Sequence, residues 1–169
     1  MKALIAYFSR AGENYVNGKI CHLETGNTEI AANIIQQQTG ADLFHLEPLV
    51  PYAETYFRCI AEAKDDQKRD ARPELRQYPE HLEEYDTIYL GYPNYWGTMP
   101  MVVFTFLESY DFSGKTIYPF CTHEGSGMGK SETDIQRLCP GAKIAKGLPV
   151  HGANVKEEKQ KIIEWINRR

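Results

Sequence analysis

The sequence predicts a single α/β domain over residues 1–169, a doubly wound three-layer sandwich built on a five-stranded parallel sheet. Three observations predict it. Apolar runs of strand length recur five times, segments of helical pattern and crossover length lie between them, and no repeat, low-complexity tract or Ser/Pro-rich linker divides the chain. With 169 residues, 42% hydrophobic and 25% charged, the composition is that of one globular core.

The first strand is predicted at residues 2–8, an apolar run opening on Ala3 and closing on Phe8. A helix follows over 28–38, where Ile30, Ile34 and Ile35 form an apolar stripe. Further strands are expected at 42–46, 87–92, 115–121 and 143–146, and further helices at 53–70, 101–109, 131–138 and 155–167, each long enough to cross between parallel strands. Proline-containing stretches at 48–52 and 71–79 bracket a charged helical excursion. Residues 51–79, with Tyr52, Tyr56 and Phe57, therefore read as an insertion, either covering a ligand or forming an amphipathic surface helix, and periodicity favours the helix.

Composition also excludes several classes. The net charge is −4 and the basic residues are interleaved with acids, which leaves no electrostatic footprint for nucleic acid or an anionic membrane. The apolar start is too short to span a bilayer and runs into Ser9 and Arg10 without a cleavage pattern, so a cytoplasmic location is expected. Cys21, Cys59, Cys121 and Cys139 are spaced irregularly, which suits neither a disulfide framework nor zinc; they are expected to be reduced thiols, and no metal site is expected.

In an open doubly wound sheet, ligands bind outside the carboxyl ends of the strands where the strand order reverses. That directs attention to residues 9–28, 93–100 and 122–130, after the first, third and fourth strands. Thr25-Gly26-Asn27-Thr28 stands immediately before a helix, so hydroxyls and backbone amides converge where the helix dipole favours an anion such as phosphate. Asn27 or Thr28 would equally serve as an ordinary N-cap. Ser9 joins this cradle if residues 11–24 loop out and return, and Arg10 points either to the ligand or to solvent.

The run Glu124-Gly125-Ser126-Gly127-Met128-Gly129-Lys130-Ser131 nearly matches a nucleotide P-loop, but Glu124 replaces its first glycine. Lys130 likewise breaks the dinucleotide fingerprint. No Gly-x-Ser-x-Gly elbow is present, and Cys121 with His123 lacks the helix context of a thiol nucleophile, so no catalytic side chain is assigned.

The strand ending in Ser9, followed by Thr25-Gly26-Asn27-Thr28 at a helix start, resembles the phosphate motif of the flavodoxin family, with an insertion between its halves. The resemblance covers nearly the whole chain. It implies strand order 2-1-3-4-5, FMN as the cofactor, and a phosphate site of Ser9, Arg10, Thr25, Gly26, Asn27 and Thr28. Pro93, Asn94, Tyr95, Trp96 and Gly97 match the loop beside the flavin ring, where adjacent aromatic faces suit a planar tricycle; Tyr95 and Trp96 are otherwise core covers. Thr122, His123, Glu124, Gly125 and Ser126 match the segment at the pyrimidine edge, and His123 and Glu124 are either acid/base groups or ordinary surface polar residues.

Two functions follow from the resemblance: an electron carrier between redox partner proteins, or an FMN-dependent NAD(P)H:quinone-type oxidoreductase passing electrons to a small-molecule acceptor. A flavin-binding scaffold or sensor would keep the same cradle. The sequence alone does not separate them.

Overall fold

The computed structural model describes residues 2–168, and the two terminal residues of the predicted domain lie outside them. In chain order the elements are β1 (Lys2–Tyr7), β2 (Gly12–Val16), β3 (Lys19–Leu23), α1 (Asn27–Thr39), β4 (Asp42–His45), α2 (Tyr56–Lys68), β5 (Tyr85–Pro93) and α3 (Met101–Glu108). There follow β6 (Thr116–His123), α4 (Ser131–Leu138), β7 (Lys143–Ile144), β8 (Leu148–His151) and α5 (Lys159–Asn167).

The main sheet runs β4-β1-β5-β6-β7, with β8 also paired to β6, and every pairing is parallel. This is the expected order 2-1-3-4-5 with the fifth position shared by two short strands. The predicted strand at 143–146 is therefore corrected to Lys143–Ile144, and a second piece, Leu148–His151, resumes the pairing further along β6. Gly147 lies in the gap, its amide donating to Glu132 Oε2 at 2.8 Å instead of to the ladder. Pro149 is tolerated within β8 because that strand lies at the sheet edge, where a missing N–H costs no ladder bond.

Side-chain alternation along β1 divides the core in two. Ile5 and Tyr7 pack with Ala31, Ile35, Ile162 and Ile166 from α1 and α5, while Leu4, Ala6 and Phe8 pack with Val102, Phe106 and Ile135 from α3 and α4. The sheet is thus covered on both faces. Helix α3 is buried from Met101 through Leu107, as its continuous apolar sequence requires. Helix α1 ends at Gly40, which adopts φ 70° so that its amide can reach the Gln36 carbonyl.

Two segments differ from their sequence reading. Because β4 and β5 flank β1, the chain must cross the sheet between them, and α2 supplies that crossover. The excursion at 51–79 is therefore the connection itself. Residues 11–24, expected to loop out, form the antiparallel β2–β3 hairpin. Its two-residue turn is Asn17-Gly18, with φ 54° and 81°, the left-handed pair that matches the twist of the flanking strands.

Candidate functional site

The carboxyl ends of β1, β5 and β6 open on a cavity of about 390 Å³. After β1 the chain detours through the hairpin and returns beside its point of departure. A Cβ placed on Gly26 would lie 2.7 Å from the Arg10 carbonyl oxygen and closer still to Ser9 Oγ, so this approach requires glycine. Gly26 is also the N-cap of α1 and offers no side chain; Ser9 Oγ accepts the Glu29 amide at 3.1 Å in its place. The Ser9 proton and the first-turn amides of Asn27 and Thr28, which have no carbonyl within the helix to serve, remain for an anion at the positive end of a 13-residue helix.

Thr28 Oγ1 lies 2.7 Å from Thr122 Oγ1, a buried tie from α1 to the end of β6. The Arg10 guanidinium donates to the carbonyls of Glu13, Ala53 and Glu54, and so turns toward the hairpin and the approach to α2. Ser9, Arg10, Asn27 and Thr28 line the cavity, whereas Thr25 and Gly26 are not among its lining residues.

Pro93, Asn94, Tyr95, Trp96 and Gly97 line the opposite wall. Trp96 and Gly97 have φ of 54° and 88° and form a two-residue turn closed by the Tyr95 amide on the Thr98 carbonyl at 2.8 Å. The Asn94 side chain accepts from the Gly97 amide and donates to the Gly127 carbonyl, each at 2.9 Å, and the Lys130 amide donates to the Gly97 carbonyl at 2.8 Å. These bonds lock the loops after β5 and β6 together. Tyr95 packs edge-on against Phe8 and Tyr52, with ring centroids 5.7 and 6.1 Å away, and its hydroxyl lies 3.9 Å from Cys59 Sγ. Burial, then the neighbouring thiol, holds its phenol well above the ordinary value. Trp96 instead stands at the mouth, 44% exposed, its indole N–H donating to the Ile60 carbonyl at 2.8 Å and the Lys64 ammonium 4.6 Å over its ring.

Thr122, His123, Glu124 and Ser126 complete the cavity, while Gly125 lies outside the lining and donates its amide to His123 Nδ1 at 2.9 Å. The His123 ring stacks on His151, centroids 5.6 Å apart. Burial, then the charge of His151, lowers the His123 pKa below its ordinary value. The Glu124 carboxylate accepts the amides of Asn17 at 2.6 Å and Ala153 at 3.0 Å and lies 3.7 Å from His151 Nε2. It holds backbone from two other segments.

Six further lining residues were not assigned to the cofactor site from the sequence, Tyr56 being read only as part of a segment that covers a ligand or forms a surface helix: Asn14 and Tyr15 from the hairpin, Tyr56, Cys59 and Ile60 from α2, and Gly152 after β8. Tyr15 stacks on Tyr56 with centroids 5.9 Å apart, and the Glu13 carboxylate accepts the Tyr56 amide at 3.0 Å. The Asn17-Gly18 pair was the available signal for the hairpin contribution.

The family model described as flavodoxin matches residues 2–169. The chain belongs to the flavodoxin family. Among solved structures, it is similar to a protein of Bacteroides uniformis ATCC 8492 assigned as a flavoprotein, at 29% identity and TM-score 0.78 over 98% of this chain and 97% of that one. A flavoprotein of Lactobacillus acidophilus NCFM solved in complex with FMN matches at 17% identity and TM-score 0.65, over 92% and 97% of the two chains. Oxidised flavodoxin 2 of Bacillus cereus matches at 20% and TM-score 0.58, over the whole of both chains. No curated protein sequence matches the chain. Family membership supports FMN as the cofactor of this chain.

Proposed function

We propose that the cavity binds one FMN without a covalent bond, and that this single-domain protein works in the cytoplasm as an electron carrier between redox partner proteins. The observation that carries the reading is the junction of a neutral anion cradle, closed by the Gly26 approach and capped by Ser9, with an aromatic loop on the facing wall.

The donor set fits a phosphate monoester. Ser9, Asn27 and Thr28 offer hydroxyl and amide donors at a helix N-terminus, and the Arg10 guanidinium in the lining is committed to three carbonyls. Phosphate can thus be held by preorganised dipoles without full neutralisation. Thr122, His123 and Ser126 would meet the polar edge of the ring, and Tyr95 and Trp96 its faces. FMN, when bound, supplies the redox chemistry, accepting and releasing electrons. The chain's own contribution is to bind and orient that group and to set the polarity around it. Asn94 does so by joining the two ring-side loops, and the strained Trp96-Gly97 turn keeps an aromatic ring at the solvent boundary.

Docking to partners is supported by the exposure of Trp96 at 44% and Phe57 at 67%, on the turn and on the helix that frame the mouth. Among the described residues no helix is long and apolar enough to cross a membrane. The test is an anaerobic titration of the FMN-reconstituted protein, first with dithionite and then with NADPH, followed by absorbance. Reduction by dithionite in two resolved one-electron stages, with no reduction by NADPH, is the expected result. Direct two-electron reduction by NADPH would overturn the carrier reading in favour of a reductase.

A further inference from the structure

We infer that the β2–β3 hairpin, clasped at its tip by Glu124, closes the phosphate end of the cavity and restricts it to a mononucleotide flavin, excluding flavins whose phosphate continues into a second nucleotide. The inference rests on the proposed FMN reading and adds a determinant of selectivity to it.

The hairpin leaves the cradle at Arg10 and rejoins it at Thr25, and it is tied on both sides of the opening. Toward α2, Arg10 donates to the carbonyls of Ala53 and Glu54, Glu13 accepts the Tyr56 amide, and Tyr15 stacks on Tyr56. Toward β6, the tip amide of Asn17 donates to Glu124 Oε1 at 2.6 Å. The hairpin therefore bridges the cavity from the crossover helix to the loop after β6, and Asn14 and Tyr15 form part of the wall.

Gly152 fixes where this bridge lands. A Cβ built there would lie 2.6 Å from Asn27 Nδ2 and 2.8 Å from Glu124 Oε2, so the clasp stands beside the first residue of α1. That is the end of the cavity at which a phosphate would sit. A phosphate monoester terminates there, whereas a diphosphate must continue through the space the hairpin and Glu124 occupy.

The hairpin is separable by design, because Gly26 touches Ser9 and Arg10 and the ends of the excursion are already neighbours. Three apoproteins are compared by flavin fluorescence quenching with FMN and FAD: the intact chain, a chain with residues 11–24 excised so that Arg10 joins Thr25, and Glu124→Ala. The intact protein is expected to prefer FMN by about 100-fold or more, excision to reduce the preference below about tenfold and to speed FMN release about tenfold, and Glu124→Ala to shift both in the same direction by less. An FMN:FAD ratio that is equal to one in the intact protein, or unchanged in the variants, overturns the inference. If the excised chain does not fold, Glu124→Ala, checked by circular dichroism, decides alone by the same criterion. Failure of the intact protein to bind either flavin would instead overturn the FMN reading, so the two failures are distinguishable.

Discussion

Replacing Gly26 by alanine probes the cradle at its narrowest point. The backbone there has φ −64° and ψ 151°, which alanine adopts freely, so the effect of Gly26→Ala is steric alone. The new methyl would stand 2.7 Å from the Arg10 carbonyl oxygen and 2.9 Å from its carbon, with Ser9 Oγ nearer still. Two of these contacts are backbone, so Ser9 and Arg10 must move away from the start of α1. The overpacking costs about 1–3 kcal/mol of stability. The displacement also withdraws Ser9 from the phosphate position. A hydrogen bond to a charged group contributes roughly 1.5–3 kcal/mol, and ~1.4 kcal/mol is a factor of ten, so FMN affinity should fall about 10- to 100-fold for each donor lost. Riboflavin, which lacks the phosphate, serves as the internal control. Fluorescence quenching of both flavins by the folded variant should show a large loss for FMN and a small one for riboflavin. Unchanged FMN affinity, or equal losses for the two flavins, would refute the assignment of this turn to phosphate.

Ser9→Ala removes the acceptor for the Glu29 amide and should cost about 1 kcal/mol of stability, seen as a lower urea midpoint, while also weakening FMN relative to riboflavin. Trp96→Ala removes the ring at the mouth together with its bond to Ile60 and its contact with Lys64; weaker FMN binding and a shifted reduction potential are expected, and no change in either would remove Trp96 from the flavin wall. His123 faces His151 and Lys161, which disfavour its charged form, and Glu124 and Glu158, which favour it, with burial the largest influence. Its folded pKa lies below 6.5, so the unfolded chain binds the proton first as pH falls, and stability is lost from about 6.5 down to the folded value. NMR titration of the ring should show that depressed value, and His151→Gln should raise it. Thr122→Val leaves Thr28 Oγ1 buried without its partner and should lower stability by about 1–3 kcal/mol, read from chemical denaturation.

The frame of the fold was legible because each strand of the sheet's centre carries its own apolar run, and the Gly26-Asn27-Thr28 turn announces a helix start that accepts an anion. What escaped was pairing that depends on geometry rather than on hydrophobicity. The hairpin strands mix polar with apolar residues and none of them is buried, so only Asn17-Gly18 marked them, and β8 hides behind Pro149, which an edge position tolerates. The cap on α1 comes from Ser9, 20 residues from Glu29, so no local motif records it. Glu124 read as part of the segment at the pyrimidine edge, either an acid/base group or a surface residue, yet its carboxylate holds backbone amides at Asn17 and Ala153, partners that only the folded chain brings near. Helix α2 read as an insertion because its charge pattern suits a solvated face; its place beside the cavity follows from the need to cross β1.

Whether this cavity takes one FMN is read from the stoichiometry and spectrum of the apoprotein titrated with FMN and then freed of excess by gel filtration. One FMN should be retained per chain, with quenched fluorescence and release on denaturation. Flavin that separates completely from the folded protein on the column would contradict it.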